Sequence, residues 1–332
     1  MTAASHQNLK TGFVVGKFLP PHRGHRHLIE TARDSVEHLT IMLCELPDDP
    51  IPGHLREAWL REIHPDCRVL RVPSDVAADD DSEGWAIYVT KTLGYVPDAV
   101  FTSEDYGETF CHYLGSRHVL VDKERLRFPI SGTLVRADPY RQWRYLEPCV
   151  RAHYVKKVCV VGAESTGTTT LAQALAGRYR TVWVPEYGRE YCERMLPDTF
   201  DYAWSSPEFT HIARTQNERE DALARQANRI LFCDTAAFAT TIWHERYLGA
   251  TSAHVDAVAA GRRYDLILLT DIDIPFVQDG LRDGEHIRPW MHRRFQESLT
   301  AGDVPWHVVS GTHEERMAKA VELVAGLFVQ GA

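Results

Sequence analysis

Apolar runs of strand length alternate with amphipathic stretches of helix length along the whole chain. In the first half the runs are Phe13–Phe18, Leu39–Leu46, Cys67–Val72, Ala99–Thr102 and His118–Val121. Helical periodicity falls between them, near His25–Val36, Leu55–Ile63, Trp85–Leu93 and Glu108–Leu114. The second half repeats the alternation without repeating the sequence. Its runs are Val158–Gly162, Val182–Val184, Ile230–Cys233, Leu266–Thr270 and His307–Val309. Its helical stretches lie near Thr169–Tyr179, Glu208–Asn228, Phe238–Leu248, Met291–Leu299 and Glu314–Phe328. A strand that is apolar without alternation is buried on both faces, so the pattern predicts parallel sheets covered by helices on either side.

The chain has 332 residues, which at about 150 per domain predicts two domains. We expect them at 1–137 and 157–332, joined by the polar, aromatic stretch 138–156, which lacks a Gly/Ser run and reads as a packed connector. Apolar residues make up 44% and charged residues 25%, which argues against a disordered or collagen-like chain. No run reaches the ~18 apolar residues of a membrane span, and Met1–Lys10 lacks the apolar core of a secretory signal. A formal net charge of −9 disfavours nucleic acid as the main partner. The seven cysteines are scattered, with no C-x-x-C pair. They read as reduced buried thiols in a cytoplasmic protein, not as a disulfide or zinc framework. The run Asp79-Asp80-Asp81 reads as a solvated turn.

Strand one leads through Gly16-Lys17-Phe18-Leu19-Pro20-Pro21-His22-Arg23-Gly24-His25 into a helix. Two imidazoles, the free N–H groups of a helix start and the charge of Lys17 converge there, and Gly24 lets a phosphate approach the backbone. Later in the same half comes Ile130-Ser131-Gly132-Thr133-Leu134-Val135-Arg136. Ser131 and Thr133 can cap a second helix start, with Arg136 in its first turns.

These two segments resemble the H-x-G-H and I-S-x-T-x-x-R marks of the nucleotidyltransferase superfamily, which implies that the first domain of this chain is Rossmann-like. The resemblance implies transfer of a nucleotidyl group from a nucleoside triphosphate, with pyrophosphate leaving. His22 and His25 would stabilise the triphosphate in the transition state, Lys17 and Arg136 would do so from opposite sides, and Mg2+ would accompany the nucleotide. Gly16, Phe18, Gly24, Ser131 and Thr133 would line the ATP phosphates.

The second half opens with the strand Lys157–Val161, then Gly162-Ala163-Glu164-Ser165-Thr166-Gly167-Thr168-Thr169-Thr170 and a helix. Strand, G-x-x-x-x-G, hydroxyl residue and helix make a P-loop in spacing and context. Its backbone N–H groups can cradle phosphates and Thr169 can ligate magnesium. The lysine position, however, holds Thr168. Two unit charges about 4 Å apart are worth about 4 kcal/mol at an effective dielectric of about 20. An unreplaced loss of that size slows phosphoryl transfer about a thousandfold. Lys156 and Lys157 start the strand, about 20 Å from the loop, so Arg189, Arg282 and Arg288 are the candidates to replace the charge.

Downstream, Val184-Pro185-Glu186-Tyr187-Gly188-Arg189-Glu190 ends one strand and Leu231-Phe232-Cys233-Asp234-Thr235 ends another. Asp279-Gly280-Leu281-Arg282-Asp283-Gly284 reads as an Arg-bearing lid. The combination resembles the NadR-type bifunctional proteins of NAD biosynthesis, which join a nicotinamide mononucleotide adenylyltransferase to a ribosylnicotinamide kinase with a P-loop. The segment Thr102–Gly107 also fits the first of these domains. The resemblance implies ATP as co-substrate, with nicotinamide mononucleotide and nicotinamide riboside as the small-molecule substrates. It makes Asp234 the base or metal ligand, Glu186, Tyr187 and Arg189 the substrate contacts, and Arg282 the closing cation. Trp85 would stack on the nicotinamide ring; as a lone residue it equally fits a helix core.

Some members of that family begin with a helix-turn-helix domain. About ten residues precede strand one here, so a DNA-binding regulator role is not expected. Two other readings stay open: a silent nucleotide-sensing second domain, and an adenylyltransferase for another phosphorylated acceptor. The sequence sets no oligomeric state, and a homo-oligomer is compatible with it.

Overall fold

In β1 (Leu9–Gly16) consecutive side chains bury on opposite faces of a sheet. Phe13 joins Met42, Cys44 and Val100 on one face, and Val14 joins Ile29, Ile41 and Leu43 on the other. The other strands of this sheet are β2 (Val36–Glu45), β3 (Arg68–Pro73), β4 (Ala99–Thr102) and β5 (Arg117–Leu120). All pairs are parallel, in the order β3-β2-β1-β4-β5. Helices α1 (Arg23–Arg33), α2 (Gly53–Ile63), α3 (Ser82–Leu93) and α4 (Tyr106–Leu114) alternate with the strands, and α5 (Gly132–Ala137) and α6 (Pro148–Tyr154) follow.

A second parallel sheet has β6 (Lys156–Gly162), β7 (Trp183–Val184), β8 (Ile230–Asp234), β9 (Leu266–Thr270) and β10 (Trp306–Val309), in the order β10-β9-β6-β8-β7. Its helices are α7 (Thr168–Tyr179), α8 (Tyr187–Met195), α9 (Ser206–Ala224), α10 (Ala237–Leu248), α11 (Ala253–Ala260), α12 (Arg288–Thr300) and α13 (His313–Gly326). This computed structural model describes residues 9–75, 78, 80–195, 202–282 and 284–328. Asp79 and Asp283 lie outside the described residues. The chain divides into two compact units, Met1–Val150 and Arg151–Ala332. Both are the α/β, parallel-sheet type that the hydrophobic pattern predicts.

The division falls inside the 138–156 stretch. Trp143, Leu146, Cys149 and Val150 are buried, and Glu147 pairs with Arg26 of α1 at 3.1 Å. Six of the seven cysteines are buried, Cys192 is half-buried, and all are unbridged. Among the described residues no helix is long and apolar enough to cross a membrane.

Local differences have physical reasons. Strand one stops at Gly16, before Lys17 and Phe18, because Phe18 takes a left-handed φ of 45° that a strand cannot hold. The first helix stops at Arg33, short of Val36, because Val36 pairs with Leu9 in the sheet. Helix α8 has no buried residue among those described, so no apolar stripe announced it.

Two candidate nucleotide sites at the strand ends

Ligands in open parallel sheets bind beyond the carboxyl ends of the strands, where the strand order reverses. In the first sheet that place is β1, between β2 and β4; in the second it is β6, between β9 and β8. The two motif-bearing loops, Gly16–His25 and Gly162–Thr170, follow these strands directly.

In the first unit a cavity of about 530 Å³ is lined by Gly16, Lys17, Phe18, His22, Gly24, His25, Trp85, Ser131, Thr133 and Arg136. The fold thus gathers every first-unit candidate into one place. His22 caps α1: its Nδ1 accepts from the His25 backbone N–H at 3.3 Å. The two imidazoles stack with centroids 3.7 Å apart, and Phe18 meets the His25 ring edge-on at 5.0 Å. A Cβ on Gly24 would lie 3.1 Å from the His22 ring, which shows how tightly the loop folds on itself. Ser131 caps α5 by accepting from Leu134 N–H at 3.2 Å. Arg136 ties the two motifs together, donating to Leu19 O at 2.5 Å and to Thr133 Oγ1 at 3.3 Å. Trp85 lines the cavity, packs against the core, and donates from its indole to Ala78 O at 3.0 Å.

Burial, with the nearby Arg125 guanidinium, drives the His22 pKa down to about 3, and His25 is lowered well below its ordinary value by burial and by His22. Both rings are therefore neutral hydrogen-bonding groups in the free protein, and the positive charge in the cavity comes from Lys17, Arg125 and Arg136. The unfolded chain binds protons on these histidines below about pH 6.5 while the folded one does not. Stability therefore falls as the pH drops from 6.5 toward 3, by up to about 1.4 kcal/mol per pH unit for each histidine. Urea unfolding of the first unit's tryptophans at pH 7 and pH 5 checks this; equal midpoints would contradict it.

Beneath the loop lies Arg56, fully buried on α2. It donates to Lys17 O at 2.5 Å and Cys44 O at 3.2 Å and pairs with Asp49 at 2.5 Å. Arg56→Met strands the Asp49 carboxylate and frees the loop. We expect a loss of roughly 3 kcal/mol of stability, read by denaturant unfolding. A loss below about 1 kcal/mol would mean that the pair is not truly desolvated.

In the second unit, Gly167 takes a φ of 83° and Ser165 one of 57°, left-handed turns that curl the P-loop as α7 begins. Buried Thr166 latches the loop to β9 by donating to Ala163 O and sharing a 2.6 Å bond with Thr270. Thr169 donates to Asp234 Oδ2 at 2.5 Å, and Thr168 also hydrogen-bonds that carboxylate. A cavity of about 220 Å³ is lined by Gly162, Glu164, Ser165, Gly167, Thr168, Thr169, Thr170, Glu186, Arg189 and Arg282. Burial raises the pKa of Glu186 and of Asp234, and the Asp234 charge raises Glu186 further, so the two carboxyls titrate as a coupled pair.

The segment expected as a lid touches the loop at its far end, where Gly284 N–H donates to Glu164 at 3.3 Å; just before the segment, Val277 N–H donates to Ser165 Oγ at 2.8 Å. Arg189 and Arg282 both hold Asp279, at 2.8 Å and 3.3 Å. Four of the expected residues, Arg288, Tyr187, Thr166 and the buried Asp234, stand outside that lining. Arg288 does not line the cavity; it is buried and donates to Ile274 O at 2.9 Å. Tyr187 is turned away from the cavity, bonding His211 at 3.0 Å beneath the Arg219 guanidinium. The Thr166 side chain is interior to the loop, bonded to Ala163 O and Thr270, and the phosphate role expected of this residue is one for its backbone. Sequence reasoning missed Arg316, a buried guanidinium that donates to Thr166 O at 2.5 Å and pairs with Asp273. It also missed Arg125, Gln216 and an aromatic wall of Trp204, Phe209, Trp243 and Tyr247.

The folds and sites define a protein of two nucleotide-binding α/β units, the first with nucleotidyltransferase marks and the second with a P-loop. A family model described as an AAA domain matches residues 157–316. The trifunctional NAD biosynthesis/regulator protein NadR of Escherichia coli K12 is 29% identical over 96% of this chain and 83% of its own length. Its counterpart in Salmonella typhimurium LT2 is 28% identical over 94% and 82%. A crystal structure of a NadR protein with NAD and AMP-PNP superposes with a TM-score of 0.74 at 19% identity, and one with NR at 0.76 and 20%, each covering 98% of both chains. The chain is a NadR homologue over nearly its whole length.

Proposed function

We propose that this is a NAD-biosynthetic enzyme whose first unit joins ATP and nicotinamide mononucleotide into NAD and pyrophosphate. One observation carries the reading: His22, His25, Lys17, Ser131, Thr133 and Arg136, drawn from two distant segments, line a single cavity at the β1 carboxyl end. The acceptor's phosphate oxygen attacks the α-phosphorus of ATP, the bond from that phosphorus to the β-phosphate oxygen breaks, and pyrophosphate leaves with the electron pair. No covalent enzyme intermediate is needed. The neutral imidazoles donate hydrogen bonds to phosphate oxygens, Lys17 and Arg136 neutralise the charge on the leaving group, and the tightly folded loop holds the reactants in line.

In the second unit the proposed reaction is transfer of the ATP γ-phosphoryl group to nicotinamide riboside. The Glu186–Asp234 pair takes the hydroxyl proton, Arg189 and Arg282 leave Asp279 for the phosphates, and the P-loop N–H groups hold the rest. The hard oxygen donors Thr169 and Asp234 fit Mg2+, which would offset phosphate charge when bound with the nucleotide. Among the described residues no three His, Cys, Asp or Glu side chains group to hold a metal unaided. Thr168 favours a second reading, in which this unit binds ATP and signals its level without turnover.

The purified chain, given ATP, Mg2+ and nicotinamide mononucleotide, should release NAD and pyrophosphate in equal amounts. Nicotinic acid mononucleotide, a glycerol phosphate and a phosphopantetheine form the comparison panel. A tenfold better turnover of either of the last two would move the first unit to another acceptor.

A further inference from the structure

Among the described residues that line the second unit's cavity, one buried side-chain amide carries a donor that the fold leaves unpaired. Gln216 of α9 is 1% exposed and lines the cavity. Its Oε1 accepts from the Tyr187 backbone N–H at 2.9 Å. A backbone N–H can only donate, so this bond fixes the amide orientation and turns Nε2 the other way. Nε2 is buried and has no hydrogen-bond partner among the described residues. A buried amide donor left unmade is costly, so its persistence points to an acceptor that arrives with a ligand.

The surroundings narrow that ligand. Phe209, Ile212 and Gln216 share one face of α9, three and seven positions along from the first, and all three line the cavity together with Trp204 and Trp243. Phe209, Ile212 and the two indoles offer apolar faces to a flat ring, with the Gln216 amide set among them. The hydroxyls of a sugar are better matched by the acceptor oxygens of Glu186, whose neighbour Tyr187 anchors the amide. An N–H donor set among aromatic side chains instead matches a carbonyl on the ring itself.

We propose that Gln216 is a specificity-determining residue that donates from Nε2 to the carboxamide oxygen of the nicotinamide ring. The second site then reads the polar edge of the base as well as its face. This rests on the riboside reading given above.

Calorimetry at pH 8 on the full chain tests it with nicotinamide riboside, with a pyridinium riboside lacking the carboxamide, and with a non-hydrolysable ATP analogue. Gln216→Glu keeps an acceptor for Tyr187 N–H and loses the donor; Gln216→Met removes both. The wild-type chain should prefer the carboxamide ligand at least about tenfold, since a site built to bond a group discriminates strongly against its absence. Both variants should bring that ratio close to one and leave affinity for the ATP analogue within about twofold. A preserved ratio in the variants, or an equal loss for both ribosides, overturns the assignment. A wild-type chain that binds the ATP analogue and neither riboside removes the riboside reading, and this inference with it.

Discussion

His25→Ala is expected to lower the turnover of adenylyl transfer by about a hundred- to a thousandfold, with the KM for ATP changed far less. Removing one preorganised donor aimed at developing charge typically costs this much. His25 meets the structural requirement: its ring is held by the stack on His22 and the edge of Phe18, and its backbone N–H is bonded to His22. Such a side chain need not reorganise when charge builds on the phosphates. Because burial keeps it neutral in the free protein, it supplies a hydrogen bond and not a resident cation, so turnover should not collapse as the pH rises through 6.5. Steady-state rates of NAD formation from pH 6 to 9 check both points. A rise in KM at unchanged kcat would make His25 a ground-state contact.

Asp234→Asn is expected to lower riboside phosphorylation by about a thousandfold or more while sparing adenylyl transfer. The carboxylate lies where β8 ends, bonded to the hydroxyl of the P-loop residue Thr169. It is also the charge that raises the neighbouring Glu186. Neutralising it removes both the acidic oxygen donor and half of the coupled pair. Glu186 should then lose a proton more easily, so residual activity should persist to lower pH than in the parent. NAD formation from the mononucleotide is the internal control. An equal fall in both activities would point to misfolding.

Much of this was legible in the residues. Continuous apolar runs gave both parallel sheets because such strands can only be covered on two faces, as Phe13 and Val14 are. The two phosphate loops were readable because each strings its chemistry along one segment. Residues that act from another element were not. Arg56 reaches Lys17 O from α2, and Arg316 reaches Thr166 O from α13. Each carried a faint signal: Arg56 shares the buried face of α2 with Trp59 and Leu60, and Arg316 shares that of α13 with Ala320 and Val324. An arginine in register with a core stripe must find buried acceptors, and here each finds the main chain of a phosphate loop. The Tyr187 and Arg288 side chains stand outside the cavity lining for the opposite reason: proximity in sequence to a motif does not set the direction of a side chain.

The central claim is that two successive activities reside in one chain. It is tested most directly by supplying ATP and Mg2+ to the purified protein with nicotinamide riboside in one tube, nicotinamide mononucleotide in another, and NAD as readout. NAD from both is the predicted result, and it would mean that the kinase works without a P-loop lysine. NAD from the mononucleotide alone would contradict the kinase half and make the second unit a sensor; NAD from neither would contradict the whole account.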